Sequence, residues 1–123
     1  MLDHVGFTVS DYERSKAFYA KALAPLGITL LYEPGGQAAG FGRDGRRFFW
    51  IEAQGRPVRG RLHVAFTVQS RELVDAFHAA ALEAGATDNG APGMRKIYHP
   101  HYYGAYVLDP DGHNIEAVCH EPA

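Results

Sequence analysis

The hexapeptide His4-Val5-Gly6-Phe7-Thr8-Val9 returns 59 residues later as His63-Val64-Ala65-Phe66-Thr67-Val68, with Gly6 against Ala65 as the only difference. Self-similarity at a fixed offset marks a repeated supersecondary unit, and the alternation of apolar and other residues in both copies has the period of a strand. Each copy then passes into a helical pattern. Ser10 and Glu13 have the Ser-x-x-Glu form of a capping box, and Phe18, Ala22 and Leu23 follow at helical spacing until Pro25 and Gly27. In the second copy Ser70 is the matching cap, Phe77, Ala81 and Leu82 stand at the same offset, and Gly85 ends the helix. A second match closes each half: Ile51-Glu52-Ala53 and Ile115-Glu116-Ala117. Each half therefore runs from a histidine strand to a glutamate strand.

Between helix and glutamate, short β-rich runs alternate with turn residues. Gly27 to Tyr32, Gln37 to Phe41 and Arg47 to Ala53 are predicted strands, with breaks at Pro34-Gly35-Gly36 and Arg43-Asp44-Gly45. The second half is predicted to repeat this with Met94 to Tyr98, Tyr102 to Leu108 and His113 to Cys119, the last two joined by the turn Asp109-Pro110-Asp111-Gly112. Gln54 to Gly60 reads as a linker. The expected fold is α+β: one domain of two tandem βαβββ modules, residues 1–53 and 61–123 around a linker at 54–60, forming a curved, cup-shaped mixed sheet.

A chain of 123 residues is long enough for one core and too short for two independent domains of usual size. No apolar run has the length of a membrane span, and the opening residues show no basic segment followed by an apolar one, so a cytoplasmic address is expected. One cysteine excludes an internal disulfide framework, and a formal charge of −2 without a Lys/Arg cluster leaves no footprint for nucleic acid. The expected partner is a small molecule.

Strand side chains alternate faces. With Val5, Phe7 and Val9 turned toward the helix, His4, Gly6 and Thr8 take the other face; Val64, Phe66 and Val68 likewise leave His63 opposite. Glu116 lies between Ile115 and Ala117, and Glu52 between Ile51 and Ala53, so both carboxylates oppose apolar neighbours. If the sheets curve into one cup, the four side chains converge. A single histidine of this kind is more often a satisfied core residue than a ligand, and a single glutamate more often a surface charge; the duplicated placement reverses that balance. Two imidazoles with one or two carboxylates suit Zn, Ni, Mn or Fe(II) and leave positions for water or substrate.

These residues resemble the vicinal oxygen chelate superfamily, which holds glyoxalase I, extradiol dioxygenases, fosfomycin-resistance proteins and bleomycin-binding proteins. The likeness rests on Leu2-Asp3-His4-Val5, Ser15-Lys16-Ala17-Phe18-Tyr19, Leu62-His63-Val64-Ala65-Phe66 and Asp109-Pro110-Asp111-Gly112-His113-Asn114-Ile115-Glu116. The resemblance implies a metal held at His4, Glu52, His63 and Glu116, the glyoxalase I pattern, or at three of these where Glu52 is not a ligand. It departs from glyoxalase I at Thr8, where those enzymes often carry an arginine for glutathione.

Three functions follow. The leading one is a metal-dependent lyase or isomerase in which two adjacent substrate oxygens bind the metal and Glu116 or Glu52 is the base. The second is an Fe(II) dioxygenase built on His4, His63 and Glu116. The third is a drug or metabolite binder whose Trp50, Phe41, Tyr98 and Tyr102, with His101 on the rim, stack a planar ligand. A homodimer is expected, because the resemblance implies a cup whose two modules come from different subunits and pairing covers exposed strand edges, while the linker at 54–60 is compatible with a cup built within one chain or across two.

Overall fold

The computed structural model describes residues 1–123. Strand β1 (Val5–Thr8) leads to helix α1 (Tyr12–Ala22), then to β2 (Thr29–Tyr32), β3 (Ala38–Arg43) and β4 (Arg46–Glu52). The second half repeats this order with β5 (His63–Val68), α2 (Arg71–Glu83), β6 (Thr87–Met94), β7 (Tyr103–Leu108) and β8 (Asn114–Cys119). Two mixed four-stranded sheets result, ordered β1-β4-β3-β2 and β5-β8-β7-β6. In each, the histidine strand runs parallel to the glutamate strand and the remaining pairs are antiparallel. Tandem βαβββ modules are thus the architecture, and the fold is α+β.

The helix ends follow from local chemistry. Asp11, not Ser10, caps α1, its carboxylate accepting the Arg14 N–H at 3.2 Å. Ser10 is drawn off instead to Asp111, which takes both its N–H and its hydroxyl and so ties the start of α1 to the β7–β8 turn. Pro25 in a 3₁₀ turn and Gly27 at φ 74° end the first helical region. Ser70 caps α2 as expected, accepting from the Leu73 N–H at 3.3 Å, and Gly85 follows the helix at φ 104°.

One predicted strand is displaced. Met94 to Tyr98 was expected extended, whereas β6 occupies Thr87–Met94 and residues 95–102 form a loop closed by Arg95 N–H to Tyr102 O at 2.7 Å. Asp88, Asn89, Gly90, Pro92 and Gly93 carry turn chemistry, yet β6 is an edge strand with two register shifts, where proline's missing N–H leaves no gap in the ladder. Ile97, 86% exposed, gives the loop no apolar face to bury.

The two modules share a core. A single cluster of buried side chains takes in Phe7, Tyr19, Phe41, Phe49 and Ile51 from the first and Phe66, Val74, Phe77, Val107 and Ile115 from the second. The Phe49 and Phe66 rings meet edge to face at 5.3 Å across the boundary. Tyr19 donates its hydroxyl to the buried Asp109 carboxylate, a second polar tie between modules. The faces of the sheets turned away from this core carry the functional candidates. No helix is long and apolar enough to cross a membrane.

Candidate functional site

Glu116 is 1% exposed although it is ionisable and lies in a sheet whose other face is already core. Burial of a carboxylate is costly unless its oxygens are partnered. Here Oε1 faces His63 Nε2 at 2.9 Å and Oε2 accepts the Tyr102 hydroxyl. The His63 side chain is 52% exposed, so the pair forms a wall of open space rather than part of the core. Burial first, and the bond to Glu116 second, push the Tyr102 phenol well above its ordinary pKa, which keeps it a donor to the carboxylate. Tyr106 is also raised, chiefly by burial, and its hydroxyl lies 3.5 Å from that of Tyr102.

His63, Tyr98, Tyr102, Tyr106, Asn114 and Glu116 line one cleft of about 510 Å³. A second cleft of about 490 Å³ is lined by His4, Gly6, Pro34, Ala38, Trp50 and Glu52. His4 sets its Nδ1 2.8 Å from Asp3 Oδ1, an arrangement that leaves Nε2 for a ligand, and this hydrogen bond holds the Asp3 carboxyl below its usual value. Both volumes suit a small molecule. Of the four candidate side chains, His63 and Glu116 are in contact, whereas His4 and Glu52 only line the same cleft. Within one chain no three His, Cys, Asp or Glu residues are arranged to hold a metal.

Strand register separates the two glutamates. In the second sheet Glu116 stands opposite Ala65, two residues beyond His63. The equivalent position in the first sheet, opposite Gly6, holds Trp50, while Glu52 stands opposite Thr8. Glu52 is therefore about 7 Å further along its strand than the likeness of Ile-Glu-Ala suggests. It is also exposed, without an ion pair to hold it. The Trp50 indole lies over Gly40, where a Cβ would come within 2.8 Å of the ring, and it meets Tyr32 edge to face at 6.4 Å.

Two expected pocket residues lie elsewhere. Phe41 is fully buried against Phe49 and Tyr19, because β3 pairs Phe41 with Phe49 and gives the Trp50 side to Gly40. His101 is exposed on the 95–102 loop, where its N–H meets His99 Nδ1 at 3.1 Å, and it does not line the cleft. Tyr98, Tyr102 and Trp50 do line clefts. Tyr106 and Asn114 were missed, although both share the parity of Glu116: Tyr106 pairs with Glu116 directly and Asn114 precedes it by two residues.

The donor set suits a divalent cation: a buried anion beside an imidazole nitrogen, with a second imidazole oriented through its other nitrogen by a carboxylate. Comparison with known proteins agrees with the fold. Among solved structures, a glyoxalase/bleomycin resistance protein from Albidiferax ferrireducens T118 is similar at 34% identity and TM-score 0.80, with 99% of each chain covered. A manganese-containing structure of the fosfomycin resistance protein FosX from Listeria monocytogenes is similar in fold, with TM-score 0.71 and 22% identity over 96% of this chain and 88% of that one. The metallothiol transferase FosB of Shouchella clausii (strain KSM-K16) is 29% identical over 122 residues, 94% of this chain and 77% of that protein. A sequence model of the Glyoxalase/Bleomycin resistance protein/Dioxygenase superfamily matches residues 1–117, and with both modules in place the chain belongs to that superfamily.

Proposed function

We propose that the protein is a divalent-metal-dependent enzyme acting on a small substrate that offers two neighbouring oxygens, with His4, His63 and Glu116 as the metal's protein ligands. The observation that carries this reading is Glu116, a buried carboxylate with one oxygen on His63 at the wall of an open cleft. A divalent ion bound there would act as a Lewis acid, stabilising negative charge on substrate oxygen. Trp50 stands where a fourth ligand matching Glu116 would be needed, which favours three protein ligands over four. Glu116 has both oxygens engaged, whereas Glu52 is free, so Glu52 is the better base for a proton beside a substrate carbonyl.

The complete site requires a second copy of the chain. His4 lies in one cleft and His63 with Glu116 in the other, and the two clefts are of similar volume. Beside His4, an apolar groove is lined by Leu2, Val5, Phe48, Val64 and Phe66, and Leu2 is 85% exposed next to it. A two-fold homodimer that joins unlike clefts would bring three ligands together twice and cover this groove.

A lyase or isomerase reaction is the first reading. Thiol transfer is the second, favoured by the likeness to FosB over 94% of the chain. Purified protein loaded with Mn, Ni, Zn or Fe(II) is to be assayed for isomerisation of a hemithioacetal and for consumption of a thiol in the presence of fosfomycin. Turnover that needs metal and is lost in Glu116→Gln supports the proposal. Stoichiometric metal binding absent from the wild type would refute it, leaving a binding protein without a metal.

A further inference from the structure

We propose that Tyr102 is a positioning residue that reserves one oxygen of Glu116, so that the carboxylate meets the metal through the other oxygen alone. The proposal rests on the reading of Glu116 and His63 as ligands. The two oxygens of this carboxylate have separate partners: Oε1 faces His63 Nε2 at 2.9 Å, while Oε2 accepts the Tyr102 hydroxyl. A carboxylate with both oxygens free can take a hard cation with both and fill an extra coordination position. Holding Oε2 on a phenol keeps that position for the substrate.

Independent features keep Tyr102 at this task. The ring stands edge-on between Tyr98 and His120, each with its centroid 5.2 Å away. The loop that carries it is closed on both sides of the residue, by Arg95 N–H to Tyr102 O and by Tyr102 N–H to His99 O at 3.1 Å. Gly104 makes the space: a Cβ there would lie 3.1 Å from Tyr102 Cε1 and 3.3 Å from Glu116 Oε2, pressing on both partners at once. The Tyr106 hydroxyl lies 3.5 Å from that of Tyr102, at the limit of a hydrogen bond, and makes none with the carboxylate, which makes it the control for the clamp. Tyr102 need not contact substrate to affect what the site does.

The test compares wild type, Tyr102→Phe and Tyr106→Phe by two readouts that need no substrate: affinity for Co(II) by chelator competition, and the visible absorption of the Co(II)-loaded protein. Loss of the clamp is expected to weaken affinity by about 10- to 100-fold, as for other groups that orient a ligand, and to change the Co(II) spectrum toward higher coordination. Tyr106→Phe is expected to stay close to wild type in both. Wild-type affinity and spectrum in Tyr102→Phe would overturn the clamp while leaving the metal site standing, and an equal change in Tyr106→Phe would overturn it as well. A wild-type protein that binds no Co(II) would remove the metal site and the clamp together. Should Tyr102→Phe fail to fold, Gly104→Ala, which crowds the same pair, replaces it under the same criteria.

Discussion

Trp50 and Glu116 hold equivalent places in the two sheets, each on the glutamate strand and directly opposite the small residue two positions after a histidine. The duplication is therefore symmetric in fold and asymmetric in chemistry. Where one half presents an anion, the other presents an indole.

That asymmetry predicts unequal glutamates. Glu116→Gln is expected to lower metal affinity by more than about 100-fold, since it removes an anionic ligand, whereas Glu52→Gln leaves affinity near wild type and lowers turnover. Chelator competition and steady-state rates on the same preparations check this. Equal losses of affinity in both variants would restore Glu52 as a ligand.

Trp50 is the only tryptophan, so its fluorescence reports on the His4 cleft alone. Gly40→Ala places a methyl group against the indole, where Cβ would come within 2.8 Å of it. The variant is expected to shift the emission maximum and to lose about 1–3 kcal/mol of stability by overpacking. Unchanged emission would mean that the indole does not lie over Gly40.

Tyr19 and Asp109 join α1 to the second module through a buried hydrogen bond. Tyr19→Phe leaves Asp109 with its backbone donors from Asp111 and His113 but without the phenol, and is expected to cost about 1–3 kcal/mol. Thermal unfolding measures it. A variant as stable as wild type would show that the modules do not depend on this tie.

Glu33 accepts from Lys16 and from the Tyr12 hydroxyl, both at 2.7 Å, and these bonds, Lys16 first, hold its carboxyl below the ordinary value. A depressed folded-state pKa contributes stability that is present above the ordinary glutamate range and lost as pH falls through the lowered value. The difference in melting temperature between wild type and Glu33→Gln is therefore expected to be open at neutral pH and to close as pH falls below the ordinary glutamate range. A constant difference across that range would assign the effect to something other than charge.

Much of this was legible in the sequence because strand parity is a strict rule. The repeated hexapeptide places His4 and His63 opposite the apolar stripe, and the structure buries Phe7, Val9, Phe66 and Val68 accordingly. Register was not legible. Parity says which face Glu52 takes but not how far along a parallel neighbour it stands, and a two-residue slide preserves the face while moving the carboxylate away from the place that Glu116 holds. Phe41 failed for the complementary reason: its own strand has apolar or small residues on both faces, Ala39 and Phe41 against Ala38 and Gly40, so alternation gave no direction. The edge strand β6 was hidden by proline and glycine, which an edge tolerates and a central strand does not. Pairing of the half-sites between subunits was an expectation from the family resemblance and not from strand parity, and it stands as part of the proposal.

If one site takes His4 from one subunit and His63 with Glu116 from the other, a mixture of His4→Ala and His63→Ala proteins can rebuild it. Each variant alone is expected to lose its metal to a weak chelator. Unfolding and refolding them together in equal amounts should yield heterodimers with one intact site, and random pairing then restores about a quarter of the wild-type metal content. No recovery on mixing, or a monomer that binds metal stoichiometrically, would contradict it.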